Sequence, residues 1–187
     1  MVYQPLVPPT LKMYKAADVP TLKNWFGSFL DRDEERVVHL ENFVRSSPSY
    51  EDWIFVANGD SIRMLGDWLA EKIRSIEIGK QSRRDPLTGV EIVPDLSDMS
   101  RSLAYDASRL FGRALIALGA DVRWGIELDD PKSVNYGQPL LYGFGRAPCN
   151  PGMILQNFCT SAMLGRANGV RLRQLFDTWK SMIGGLT

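Results

Sequence analysis

Histidine and cysteine are scarce in this sequence. Its 187 residues include one histidine, His39, and two cysteines, Cys149 and Cys159. Two cysteines are too few for a disulfide scaffold, and their spacing matches no zinc-binding pattern. A Ser–His–Asp or Cys–His arrangement would have to use His39, and no catalytic motif surrounds that residue. We therefore expect reduced thiols, a surface histidine, and no metal or other cofactor.

Long apolar runs and an excess of one charge are absent as well. No run approaches the roughly 18 apolar residues that cross a bilayer, and the N-terminus lacks the basic start and apolar block of a secretory signal. Lysine plus arginine and aspartate plus glutamate each number 22, so the net charge is zero. A neutral chain is unlike a dedicated nucleic-acid binder. We expect a cytoplasmic protein that binds neither membrane nor nucleic acid.

Phosphate-binding and cation-binding motifs are also missing. Gly143 and Gly145 lead to Pro148 and not to the Gly-Lys-Ser/Thr of a phosphate-binding loop. Asp129 and Asp130 are adjacent, and a turn containing proline explains them better than a cation site. No catalytic residue is predicted, although an enzyme that works through carboxylates alone stays open as an alternative.

Hydrophobic content is 44% and charged content 24%, which is ordinary globular usage and predicts a single domain over residues 1–187. Prolines at positions 5, 8 and 9 predict an extended N-terminal arm over residues 1–15. A polar, turn-rich connector loop is predicted over residues 80–94.

The clearest helix follows Pro94. Its apolar residues recur at steps of three and four, which predicts one buried stripe: Leu96, Met99, Leu103, Ala107, Leu110, Phe111, Ala114 and Leu118. Asp95 or Ser97 is expected to cap its N-terminus. Gly119 is expected to end it in a left-handed conformation.

A strand pair follows this helix. Val122, Trp124, Ile126 and Leu128 alternate with polar residues, which predicts a strand with one buried face. A second strand is predicted from Pro139, because proline is tolerated at the first position of a strand. We expect an α+β fold, mainly helical, with about five helices and a small antiparallel sheet over residues 121–129 and 138–145 packed on the central helix.

Further helices are predicted from apolar periodicity. One follows Asp18 as its cap, and a second covers residues 37–44. A third covers residues 62–76, with Asp60 or Ser61 as its cap and Gly79 as its stop. From residue 153 a helix is predicted, with a strand start as the alternative, and a closing helix is predicted over residues 170–183. Residues 53–56 are short and apolar and fit either a strand or a helix end.

Two polar loops are the predicted partner-binding sites. The basic linker 80–84 and the loop 129–138 should stay exposed because the central helix and its strands bury their own faces. An aromatic ring with a polar tip can anchor an interface, and charges at its rim steer association. The residues predicted to bind a partner are Lys80, Arg83, Arg84, Asp129, Asp130 and Tyr136.

Residues 97–180 resemble small bacterial proteins of the toxin-immunity type. The shared layout is a helix with glycines toward its end, a tryptophan on the next strand, a Tyr-Gly-x-Pro strand start and Asn-Pro before the last helices. The matching positions are Gly112, Gly119, Trp124, Tyr136, Gly137, Pro139, Asn150 and Pro151. Each of them also has an explanation as a folding device.

The resemblance implies a cytosolic bacterial binding protein that neutralises a secreted toxin by occluding it, with the cognate toxin as its protein partner. Such a protein needs shape and charge complementarity and no reactive group. The alternative is a small carboxylate-based enzyme or a regulator that binds a small molecule. A deep pocket lined by convergent charged residues would favour that alternative.

Overall fold

The computed structural model describes residues 3–145 and 147–184 of the chain. In these residues the regular structure comprises seven α-helices and four short strands, in the order α1 (Leu11–Ala16), α2 (Val19–Asp31), α3 (Asp33–Arg45), α4 (Gly59–Ile76), β1 (Arg83–Arg84), β2 (Glu91–Ile92), α5 (Asp98–Ile116), β3 (Arg123–Ile126), β4 (Pro139–Tyr142), α6 (Pro151–Met163) and α7 (Gly169–Lys180). The predicted α+β, mainly helical fold is confirmed.

The N-terminal segment, residues 3–10, has no regular secondary structure and lies across the helices. The Tyr3 hydroxyl is 2.9 Å from Ser102 Oγ on α5, and Arg36 on α3 donates to the Gln4 carbonyl at 3.0 Å. Helix α1 begins at Leu11, inside the predicted extended arm, because Thr10 caps it. Residues 1 and 2 of that arm lie outside the described residues.

Side-chain caps set several helix starts. Asp18 Oδ1 accepts a hydrogen bond from the Thr21 amide at 2.9 Å, as predicted for α2. Helix α4 begins earlier than predicted, because the extended Asn58 accepts from the Ser61 amide at 2.9 Å. Asp60 and Ser61 are therefore helical residues, and their prediction as caps is wrong. Of the two candidates for α5, Ser97 is the cap.

Helix α5 is the centre of the molecule. It packs against α3, α4, α6 and α7, and 14 of its 19 residues are buried. The predicted stripe is only one of its buried faces, since α3 and the N-terminal segment cover another. The helix ends at Ile116, so Leu118 is exposed. Gly119 is not left-handed as predicted; a Cβ there would lie 2.5 Å from Ile183, which explains the glycine by close packing.

The antiparallel pair β3–β4 lies on α5 as predicted. Arg123 pairs with Tyr142 and Ile126 with Pro139. A Cβ at Gly112 of α5 would lie 2.3 Å from the Trp124 ring, so this glycine lets the sheet approach the helix. A second pair, β1–β2, forms a hairpin inside the predicted connector 80–94.

The remaining segments differ from the predictions mainly in their limits. Helix α4 ends three residues before Gly79, which is left-handed with φ 83°. The closing helix α7 ends at Lys180. Residues 53–56 form neither strand nor helix. In the part of the chain that the structure describes, none of the helices combines the length and apolar content that a bilayer crossing requires.

Candidate functional site

The sequence offers three candidates for nucleophilic or acid–base chemistry: His39, Cys149 and Cys159. In the structure each of them is part of the packing or hydrogen bonding of the fold. His39 Nε2 accepts a hydrogen bond from the Gln4 amide at 2.9 Å, and its ring stacks on Tyr3 with 5.0 Å between centroids. His39 therefore helps to hold the N-terminal segment. Cys149 and Cys159 are buried free thiols, and burial raises the pKa of each thiol well above its ordinary range. A thiol that stays protonated is a poor nucleophile, because the thiolate is the reactive form.

Metal-binding geometry is likewise absent from residues 3–145 and 147–184: they contain no group of three or more His, Cys, Asp or Glu side chains that could hold an ion. The acidic pair Asp129–Asp130 lies in a turn in which Asp130 Oδ1 accepts from the Lys132 amide at 2.9 Å. Both residues are exposed. This arrangement fits the interpretation of the pair as a solvated turn.

Tyr136 is not an exposed anchor. Only 7% of it is accessible to solvent, and it packs with Tyr14 and Leu22 in a small second core. The neighbouring Gly137 has φ 74° and approaches Leu22 so closely that a Cβ would lie 2.6 Å from its Cδ2 atom. The prediction that the Tyr136 ring faces solvent is wrong, because α2 folds over this end of the loop. The loop thus retains two exposed carboxylates and loses its aromatic anchor.

Lys80 secures the base of the hairpin. Its Nζ atom lies 2.7 Å from Glu77 Oε2 and donates to the Asp95 carbonyl at 2.7 Å, so the two ends of the 80–94 segment are joined. Glu77 also accepts from the Ser97 amide at 2.7 Å. Burial acts to raise the pKa of Glu77, but hydrogen bonds from Lys80 and Ser97 outweigh it and lower the pKa to about 2. Lys80 therefore stabilises the base of the hairpin and is less free to bind a partner than predicted.

The hairpin itself is short and ordered by its turn. Arg84 pairs with Glu91, and the Asp85 amide donates to the Val90 carbonyl at 2.8 Å. Asp85 Oδ1 accepts from the Leu87 amide at 2.9 Å and the Thr88 amide at 2.8 Å, which is the local bonding that aspartate favours in turns. These bonds stabilise the turn at the tip.

The two faces of the hairpin differ. Arg166 donates to both Glu91 carboxylate oxygens, at 2.6 and 3.2 Å, so the Glu91 face lies toward the end of α6. These hydrogen bonds are the main reason that the pKa of Glu91 falls to about 2. Arg83 pairs with Ile92, and Val90 lies two residues from Ile92. Because successive side chains of a strand alternate, these three lie on the opposite, outward face.

This outward face is the candidate site. We define it by Arg83, Val90 and Ile92, with Leu87 at the tip. All four residues are exposed, and Leu87 is 94% accessible. A cluster of exposed apolar side chains beside the Arg83 cation is suited to binding. It contains no reactive side chain.

The structure does not join the predicted sites into one. Among the described residues, no hydrogen bond or ion pair links the basic positions of the hairpin to Asp129, Asp130 or Tyr136. Sequence reasoning identified Arg83 and Arg84 but missed Leu87, Val90 and Ile92. The signal was present, because Asp85-Pro86 and Thr88-Gly89 mark a turn that precedes the alternating Val90 and Ile92.

Comparison with known proteins adds no relative: no family model, no curated protein and no solved structure matches this chain.

Proposed function

We propose that this protein is a binding protein that docks on a protein partner through the outward face of its β1–β2 hairpin. The observation that carries the proposal is Leu87, which is 94% accessible at the tip of a turn ordered by Asp85. Exposed aliphatic side chains scattered singly are ordinary, but here Leu87, Val90 and Ile92 occupy six consecutive residues of one projecting element. Burying them against a partner removes their apolar surface from water.

The charges of the hairpin indicate the chemistry of that partner. Arg83 lies on the same face as Val90 and Ile92 and makes no ion pair among the described residues. By contrast, Arg166 satisfies Glu91 on the inward face. The outward face therefore combines a free cation with an apolar centre. It fits an apolar groove with carboxylates at its rim, which steer association and accept from the guanidinium.

The specific form that we propose is immunity: in a bacterial cytoplasm, the protein would neutralise a toxin by inserting the hairpin into the toxin's functional cleft. Two points support this form. The hairpin is a narrow projecting element, the shape that occlusion of a cleft requires. The layout of residues 97–180 resembles proteins of the toxin-immunity type, and those residues include Arg166, which pairs with Glu91 of the hairpin.

A growth-protection assay tests this proposal. The product of the adjoining gene in the source genome is expressed alone and together with this protein, and growth and complex formation are measured. We expect growth arrest, rescue by the parent protein, and loss of rescue in the triple variant Arg83→Glu/Leu87→Ser/Val90→Ser. The dissociation constant should rise at least about tenfold, the loss expected when interface anchors and one charge are removed.

A matched variant separates the hairpin from general effects on the surface. Arg171→Glu/Ile54→Ser/Val56→Ser changes one exposed arginine and two exposed aliphatic residues outside the hairpin, and it should protect like the parent. If the hairpin variant protects equally well, the outward face is not the binding site. An adjoining product that neither slows growth nor binds would contradict the immunity form.

A further inference from the structure

A cavity of about 470 Å³ lies between the N-terminal segment, α2 and α5. We call it the arginine cavity. Its α5 wall is formed by Arg101, Tyr105 and Arg109, which are four residues apart and so share one helix face. Ser28 at its rim is exposed, whereas Arg109 is fully buried. The cavity therefore extends inward from the surface at Ser28 to the buried side chain of Arg109.

The lining has an unusual charge balance. The residues that line the cavity are Leu6, Val7, Pro8, Pro9, Met13, Trp25, Ser28, Phe29, Arg32, Arg101, Tyr105 and Arg109. Three are arginines, none is an acid, and most of the others are apolar or aromatic. Small-molecule sites have this character: an apolar cleft of a few hundred Å³ with a small number of placed polar groups.

Arg109 supplies the decisive observation. Its Nη1 atom donates to the Phe29 carbonyl at 2.6 Å and to Asp33 Oδ1 at 3.1 Å, and the guanidinium lies 3.9 Å from the Phe29 ring centroid. Its Nε and Nη2 atoms are buried and have no hydrogen-bond acceptor among the described residues. Asp106 Oδ1 is 3.9 Å from Nε, too far for a hydrogen bond. Buried donors of a charged group are rarely left without an acceptor.

The other two arginines of the cavity, Arg101 and Arg32, make only weak ion pairs. Arg101 lies 3.5 Å from the exposed carboxylate of Asp98, and Arg32 pairs with Glu35 on the surface. Solvent-exposed pairs of this kind exchange partners at little cost. An anion that enters the cavity can therefore recruit Arg101 without breaking a buried bond, and Arg109, which lines the same cavity, has two donors without an acceptor.

We propose that the arginine cavity binds a free apolar monocarboxylate, with its carboxylate on Arg109 and Arg101 and its hydrocarbon part between Trp25 and Phe29. Two carboxylate oxygens match the two unused donors of Arg109, in the paired geometry that guanidinium and carboxylate prefer. The apolar walls disfavour a dianion, whose further oxygens would find no donors there. This site is distinct from the hairpin, and the proposal does not depend on the partner.

Titration calorimetry with sodium octanoate tests the proposal, with octan-1-ol as the uncharged probe. We expect octanoate to bind and octan-1-ol to bind at least tenfold more weakly. Arg101→Gln should weaken octanoate binding about tenfold, the loss typical of one charge-assisted hydrogen bond. Ser28→Trp should abolish binding by filling the rim. In the parent, the Arg109 Nε–H resonance should shift on addition of octanoate.

Two matched variants control for charge and bulk. Arg171→Gln removes an exposed cation elsewhere, and Asn24→Trp adds an indole to α2 at an exposed position that does not line the cavity; both should bind octanoate like the parent. Circular dichroism checks that each variant is folded. The proposal is overturned if octanoate does not bind, if octan-1-ol binds equally well, or if Arg101→Gln and Ser28→Trp bind like their controls.

Discussion

Several charged side chains are buried in the core, although the apolar pattern of α5 gives no indication of them. Asp106 is fully buried and accepts hydrogen bonds from Tyr3 and from Arg36, whose Nε atom is 3.1 Å from Oδ1. Burial and the nearby negative charge of Asp106 raise the pKa of the Tyr3 hydroxyl, which keeps it protonated as a donor. This cluster joins the N-terminal segment, α3 and α5. It is a structural device, and its members depend on one another.

Removing the cation of this cluster should destabilise the fold strongly. Arg36→Met leaves the buried Asp106 carboxylate without its main partner, and we expect a loss of about 3–5 kcal/mol in the free energy of unfolding. Urea denaturation measures it. The neighbouring Arg32→Met breaks only an exposed pair with Glu35 and should cost less than about 1 kcal/mol. Equal losses in the two variants would contradict the assigned role of Arg36.

Ionisation of Glu77 should make the free energy of unfolding depend on pH in the acid range. Its folded pKa of about 2 lies below the ordinary value of 4.5, so the unfolded chain binds more protons. The contribution is therefore complete above about pH 5 and is lost as the pH falls toward 2. It amounts to at most about 3 kcal/mol.

Glu77→Gln should reduce the loss of stability between pH 5 and 3, measured by urea denaturation at several pH values. Glu71→Gln, at an exposed position on α4, the helix that Glu77 follows, serves as the control. An unchanged pH profile in the Glu77 variant would show that this carboxylate is not the group responsible.

At the scale of elements, the sheet β3–β4 rests on α5 through a glycine. A Cβ at Gly112 would lie 2.3 Å from Trp124 Cζ2, and the Trp124 ring is held edge-on against Phe29. Tryptophan is too rigid to yield without moving the strand. The close approach of the sheet to α5 thus requires that residue 112 has no Cβ atom.

Two glycine substitutions in helices should therefore have opposite effects. In an unobstructed helix, Gly→Ala adds up to about 1 kcal/mol of stability, and this is expected for Gly27→Ala in α2, where nothing lies within 4 Å. Gly112→Ala should instead destabilise by about 1–3 kcal/mol, because overpacking outweighs the gain in helix propensity. Thermal unfolding measures both. Stabilisation by Gly112→Ala would show that the sheet is free to move.

At the scale of the whole molecule, the hairpin and the body are nearly independent. Residues 81–92 contribute no buried side chain, and Arg166–Glu91 is an exposed ion pair. The core lies among α3 to α7 and the β3–β4 sheet. An element that adds so little to stability is free to serve binding.

Shortening the hairpin should separate binding from folding. Arg84 and Glu91 are directly paired, so replacing residues 85–90 by Asn-Gly gives a two-residue turn of the type that such pairs favour. The free energy of unfolding should change by less than about 1 kcal/mol, because no core contact is lost. Partner binding should be lost with Leu87 and Val90. A large loss of stability would show that the hairpin belongs to the core.

Local features of the chain were predictable from the sequence. The periodicity of α5, the alternation around Trp124, the cap at Asp18 and Pro139 at the start of β4 each depend on residues close together in the chain. Their signals survive in the folded protein because tertiary packing reinforces them. The resemblance to immunity-type proteins, the protein partner and the cytoplasmic location stay predictions.

The positions of the site residues required the tertiary structure. Tyr136 is buried because α2 covers it, and no pattern within residues 129–138 encodes that contact. The burial of Arg109 likewise depends on α2 and α3, whose Phe29 and Asp33 are distant from it in sequence. Solvent exposure is a property of how elements pack, whereas helix and strand formation are properties of short segments. The sequence alone therefore determined the long helices and the β3–β4 strand pair, whereas α1 and the β1–β2 hairpin were found only in the structure. The fold also decided which polar residues meet solvent.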